Sequence, residues 1–261
     1  MSEKLTNFPP ETPEQRLIWE VVFLTVIIVA TAVFGHLAAL NVAYTIVLTI
    51  IFSINIIIRF LIINQKGDWI FFVFGVIAGG GNDLMSMMRE VYNYTSVTII
   101  PFLDGLLPLW SIVFWGQVFL IFRKIFNIEW FKGEDFQKNG KFLKGWVDYE
   151  LVVDLILIII LRIIIYSTYN LEMWIPALFY ASFIVGRLLI FHPKKNQILI
   201  IAVLPYAFIF EGLMVIFGLY VYINPIILGM PLWLLLWWIF LVSVVLKEIF
   251  DRIEYILKER S

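Results

Sequence analysis

Asp83 lies inside an apolar stretch, and 128 positions later (211 − 83) Glu211 lies in a second stretch with the same flanking pattern. Behind each carboxylate comes a Tyr-x-Tyr at the same offset, Tyr92 and Tyr94 in one copy, Tyr220 and Tyr222 in the other. A Pro-Leu-Trp follows each, Pro108 to Trp110 and Pro231 to Trp233, while Arg59 and Arg187 precede them at that spacing. Ionisable groups in a bilayer are costly and mark function. Burial disfavours the charged form of a carboxyl, and a neutral carboxyl can donate a proton to a substrate. Asp83 and Glu211 are therefore the candidate acids, each about 15 residues, or roughly 22 Å, into its helix. Tyr92, Tyr94, Tyr220, Tyr222, Trp110 and Trp233 are the candidate aromatic lining.

Nine residues separate each carboxylate from its first tyrosine. That is half a turn round a continuous helix, so the helix must end or bend between them. Asp83 and Glu90 are seven apart and share a face, with Arg89 beside them, which makes Arg89, Glu90 and the preceding Asn82 candidate binding residues. Gly79, Gly80 and Gly81 precede Asn82. The run lacks the strand before it and the GK[ST] after it that a phosphate loop needs, and small residues at a helix interface are the more economical reading. Arg162 stands at a depth close to that of the carboxylates and requires a partner. Glu211 or Asp83 is expected to supply it, Arg162 then joining the catalytic group, with Asp154 and Glu150 in the same network. Asn41, Asn55 and Arg59 form one polar stripe on the second helix. Arg59 and Arg187 are expected to snorkel to the headgroups.

These residues need a membrane scaffold to hold them. The chain of 261 residues is 62% apolar and 15% charged, against about 45–50% and 25% in soluble domains. The pattern predicts an all-α, polytopic integral membrane protein of about eight transmembrane helices in two parallel four-helix repeats. The spans are 17–35, 38–63, 69–90, 107–127, 148–168, 173–192, 196–222 and 232–254. Residues 1–16 form a cytoplasmic N-terminal segment that carries no cleavable signal, 17–127 the first repeat, 128–147 a cytoplasmic linker and 148–261 the second repeat. Halves with an even number of spans enter in the same orientation. If the spans alternate, 15 of the 19 Lys and Arg fall on one side, which puts both termini in the cytoplasm of a multi-pass cell-membrane protein. The linker, IEWFKGEDFQKNGKFLKGW, is either a solvated connection or an interfacial segment on anionic lipid. Pro108 and Pro231 read as helix starts. Zero cysteines exclude thiol chemistry, and two histidines at helix ends argue against a metal site. No cofactor and no nucleic-acid partner is expected, and no residue pattern sets an oligomeric state.

The run Glu211, Gly218-Leu219-Tyr220-Val221-Tyr222, Gly229-Met230-Pro231 and Trp237 resembles the signature of the carotenoid-biosynthesis membrane proteins that include bisanhydrobacterioruberin hydratase. In that family a Glu precedes Gly-x-Tyr-x-Tyr, then Gly-x-Pro and a downstream Trp. The likeness spans residues 211–237, with a shorter spacing from Glu211 to Gly218 and without the family's Thr-Gly and Pro-Phe elements. It implies addition of water to, or rearrangement of, an isoprenoid double bond. Buried acid and aromatic faces suit that chemistry independently, since they protonate an alkene and stabilise the resulting cation. The partners are then membrane lipid and a hydrophobic small molecule. Two other functions fit the same residues: a proton-coupled small-molecule transporter, with a carboxylate in each half, and a structural or assembly protein whose polar groups serve helix packing.

Overall fold

The computed structural model describes residues 10, 12–97, 107–132, 146–192, 194–201 and 204–259. Most of the predicted linker, and parts of the polar N-terminus, lie outside them. The helices are α1 (Pro13–Leu40), α2 (Val42–Ile63), α3 (Asp68–Met88), α4 (Leu109–Phe126), α5 (Tyr149–Thr168), α6 (Trp174–Ile190), α7 (Lys195–Ile201), α8 (Leu204–Ile216), α9 (Leu232–Phe240) and α10 (Lys247–Glu259). A π-helical stretch, Leu241–Leu246, joins the last two into one continuous rod. Among the described residues, six helices are long and apolar enough to cross a membrane: α1 to α5 and the Leu232–Glu259 rod. This is the helical content of an integral membrane protein. α6 is a shorter apolar helix of 17 residues.

Two expectations need correction. The seventh predicted span, 196–222, is helical only to Ile216, and Tyr220–Tyr222 is a strand, β2, paired with a second strand, β1 (Tyr92–Tyr94). The fold is thus helical with one short ribbon rather than all-α. The first helix also begins earlier than residue 17, because Thr12 at the N-cap and Gln15 in the first turn form a reciprocal capping box around Pro13, satisfying two orphan donors at once. Asn41 caps α2 by accepting from the Ala43 amide at 2.8 Å and so leaves the predicted stripe. Asn55 remains within it, facing protein through Phe23 O and Gln117 Oε1. Pro108 and Pro231 sit at the N-cap, one position ahead of α4 and α9.

The chain divides into two compact units. One runs to Ile128 and includes Glu211–Tyr222; the other comprises Glu129–Phe210 and the chain from Ile223. In the first, α3 and α4 pack closely because their contact faces lack side chains. A Cβ at Gly75 would come within 2.8 Å of Phe119, and one at Gly79 or Gly116 would collide with Trp115 or Phe72. Close backbone approach through small residues is the packing device of membrane helices. In the second unit the buried Tyr180 of α6 donates to Leu161 O of α5 at 2.9 Å and carries the rings of Trp233 and Trp237.

The helices ahead of both strands end alike. After α3 the amides of Glu90 and Val91 donate to Met87 O and Ser86 O; after α8 those of Gly218 and Leu219 donate to Val215 O and Met214 O. Each is a Schellman stop, with the left-handed residue seven places beyond the carboxylate: Glu90 at φ 59° and Gly218 at φ 76°. This turn supplies the break that the nine-residue spacing demanded. At Gly218 a side chain is also excluded by space, since a Cβ would strike His36.

Candidate functional site: a carboxylate–tyrosine cluster

The two strands pair antiparallel, Tyr92 with Tyr222, Asn93 with Val221 and Tyr94 with Tyr220. Side chains alternate along a strand, so the four tyrosines share one face while Asn93 and Val221 point away and are exposed. Their rings form a cluster, with Tyr92 and Tyr222 centroids 5.0 Å apart and Tyr94 and Tyr220 5.5 Å apart. Thr95 extends the attachment by donating its amide to Leu219 O at 2.9 Å.

Each carboxylate engages this ribbon from the helix behind it. Asp83, buried on α3, accepts from the hydroxyls of Tyr92 and Tyr94, the latter at 2.5 Å, and from Trp115 Nε1 of α4, also at 2.5 Å. Glu211 accepts from the Tyr222 hydroxyl at 2.6 Å. Trp115 reaches Asp83 because Gly79, one turn earlier on α3, leaves room for its indole. Trp110 stands edge-on to Tyr94 at 5.1 Å and to Phe52 at 5.9 Å. The ribbon lies outside the six spans, and burial pushes the hydroxyls of Tyr94, Tyr220 and Tyr222 well above the usual phenol value. The negative charge of Asp83 adds to this at Tyr94 and Tyr220, and Glu211, when ionised, adds to it at Tyr220 and Tyr222. The phenols are therefore neutral donors rather than phenolates.

Seven of the residues singled out in the sequence are thus brought together: Asp83, Glu211, Tyr92, Tyr94, Tyr220, Tyr222 and Trp110. Asn82 is half-buried next to Asp83 on α3. Arg89 and Glu90 are not in the cluster. The Schellman stop turns the chain before residue 90, which ends the helical face that Glu90 was expected to share with Asp83, and both side chains are exposed. Arg162 and Trp233 belong to the other unit. There the Arg162 guanidinium lies 4.0 Å over the Trp237 ring, a cation–π arrangement, and the Trp233 ring is 6.0 Å from Tyr180.

Arg59 and Arg187 do not snorkel. Arg59 is fully buried, donating from Nε to Glu20 at 2.9 Å and pairing through Nη1 with Asp68 at 2.6 Å. Asp68 also takes Arg123 at 2.5 Å and Lys124 at 2.8 Å. Arg187 clamps both oxygens of Asp154, at 2.8 and 2.9 Å, and reaches Glu150 at 2.6 Å. Asp154 and Glu150 are thus joined through Arg187, which the sequence alone does not place in their network. Glu150, Asp154 and Glu248 bring carboxylate oxygens within 4.8 Å of one another, but Arg187, Lys194 and Arg252 already neutralise them.

Sequence reasoning passed over Trp115. Its signal was present: Trp238 stands 123 positions later (238 − 115), the offset that also relates the two Pro-Leu-Trp motifs. No protein-family model matches the chain, and no curated protein or solved structure matches it.

Proposed function

We propose that this chain is a membrane-embedded enzyme that adds water to a double bond of a hydrophobic, isoprenoid-type lipid at the carboxylate–tyrosine cluster. One observation carries the reading: both repeated carboxylates are hydrogen-bonded to tyrosines of the same four-tyrosine ribbon. Three donors aimed at Asp83 suit an acceptor, whereas an acid must have its proton directed at the substrate. The acid role is therefore assigned to Glu211, and Asp83 is the anion that faces the developing positive charge. Glu211 transfers its proton to one alkene carbon, leaving a cation on the more substituted one. Aromatic faces stabilise that cation. Water then adds to it and its extra proton returns to the Glu211 carboxylate, so the net change is alkene plus water to alcohol. The resemblance of residues 211–237 to carotenoid-biosynthesis membrane proteins points to the same chemistry.

The proposal includes the duplicated, eight-span arrangement with cytoplasmic termini. The duplication has geometric support. Asn93 and Val221 are both ribbon partners and positions 128 apart, so a local twofold through that pair relates the two carboxylate–tyrosine motifs. The matching Schellman stops and the matching Phe52–Trp110 and Tyr180–Trp233 ring pairs, at 5.9 and 6.0 Å, are related by the same repeat. The test is incubation of the reconstituted protein with acyclic isoprenoids in D₂O. The expected product is heavier by one water and carries a carbon–deuterium bond, and Glu211→Gln abolishes it by about 10²-fold or more. Absence of both hydration and deuterium exchange across an isoprenoid panel would remove the enzyme reading.

A further inference from the structure

Trp110 is 1% exposed, yet its Nε1–H has no acceptor in the protein, and among the described residues it is the only buried indole in that position. The hydroxyl of Ser96, two residues beyond Tyr94 and 5% exposed, likewise has no protein partner. Both groups border Tyr94, Trp110 through its ring at 5.1 Å and Ser96 along the chain. A buried donor left without an acceptor is costly, and the indole N–H can only donate. Trp110 is also the second residue of α4, at the boundary end of a span, where the polar end of an amphiphilic lipid resides.

We infer that the cluster takes a lipid bearing an oxygen acceptor, a hydroxyl, ether or carbonyl, which receives the Trp110 Nε1–H, rather than an oxygen-free hydrocarbon. The inference rests on the tyrosine cluster being a lipid-binding site, but not on any reaction occurring there. A site that must satisfy a buried donor rejects a ligand lacking the acceptor far more strongly than a greasy pocket rejects a wrong size.

The test is binding, read by native mass spectrometry of the solubilised full chain with geranylgeraniol, its methyl ether and the corresponding oxygen-free hydrocarbon. The alcohol and the ether should both bind about tenfold or more tightly than the hydrocarbon, since the indole asks only for an acceptor. Trp110→Phe should remove that preference, its folding being checked separately by helical circular dichroism and thermal melting. Should that variant not fold, the three-ligand comparison on the unaltered protein still decides. Equal affinities for all three ligands would overturn the inference, as would a preference for the alcohol that the ether does not share. A water resident at Trp110 would give the first of these results. Preference for oxygenated ligands without any hydration in D₂O would leave this inference standing and remove only the enzyme reading.

Discussion

Asp68 and Asp83 stand on the same helix with nearly the same burial, 0% and 2% exposed, and in opposite company. Asp68, at the start of α3, is held by Arg59, Arg123 and Lys124. Asp83, about four turns on, accepts from two phenols and an indole. The first arrangement spends formal charges to lock four helices together, since Glu20 of α1 and Arg59 of α2 join Asp68 of α3 and the cations of α4. The second surrounds a carboxylate with neutral donors and aromatic faces, a setting that can meet a transient positive charge. The sequence separates them further: 128 positions on from Asp83 stands Glu211, with a Tyr-x-Tyr at the same distance behind it, whereas 128 positions on from Asp68 stands Asn196. In the other unit Arg187 is bound instead by Asp154 and Glu150. The latch is rebuilt from different residues; the carboxylate–tyrosine motif is kept.

The contrast breaks most easily in stability. Asp68→Asn leaves three buried cations short of a negative charge, and breaking a buried ionic network in this way costs about 3–5 kcal/mol. Asp83→Asn leaves an amide that still accepts at one atom, so its stability loss should be smaller, about 1–3 kcal/mol, while its activity disappears. Denaturant unfolding of the two purified variants gives the comparison directly. Equal losses would mean that Asp83 is a latch like Asp68.

A second, smaller contrast lies four residues upstream of Asp83. Gly79→Ala drives a methyl into the Trp115 indole, and overpacking of this kind costs about 1–3 kcal/mol. Gly80→Ala meets open space and should be neutral or stabilising by up to about 1 kcal/mol, the usual gain of alanine over glycine in a helix. The two melting curves should therefore shift in opposite directions. Identical shifts would show that Gly79 is not what brings Trp115 to the carboxylate.

Much of this was legible in the residues. Six long apolar helices among the described residues followed from hydropathy, though not the unbroken span 196–222, and the helix break before each Tyr-x-Tyr followed from the nine-residue spacing. Grouping of Asp83, Glu211 and the tyrosines followed from their shared offset. The ribbon was not legible, because three residues are too few for an alternating pattern to stand out against a helical one. Glu90 misled for a related reason: a helical face was projected past a stop that glycine marks at position 218 and glutamate hides at position 90. The ion-paired latch depended on which distant helix each arginine meets, and snorkelling was the local reading of a cation near a span end.

The smallest effect isolates the site most cleanly. Trp115→Phe keeps an aromatic ring against Gly79 and removes one of the three donors to Asp83, a loss of about 1 kcal/mol. If the indole acts through that carboxylate, its effect must depend on residue 83 carrying a carboxylate that accepts from it. A double-mutant cycle of Trp115→Phe with Asp83→Asn should therefore show a coupling of about 0.5–3 kcal/mol, whereas the same substitution paired with Asp68→Asn should be additive within about 0.5 kcal/mol. Coupling to Asp68 as strong as to Asp83 would mean that α3 transmits both changes as one rigid body, and the separation between latch and site would fail. Coupling confined to Asp83 would establish Trp115 as the residue that positions the carboxylate. In that case turnover of the proposed hydration by Trp115→Phe should fall with little change in KM, the result expected of a residue that acts through Asp83.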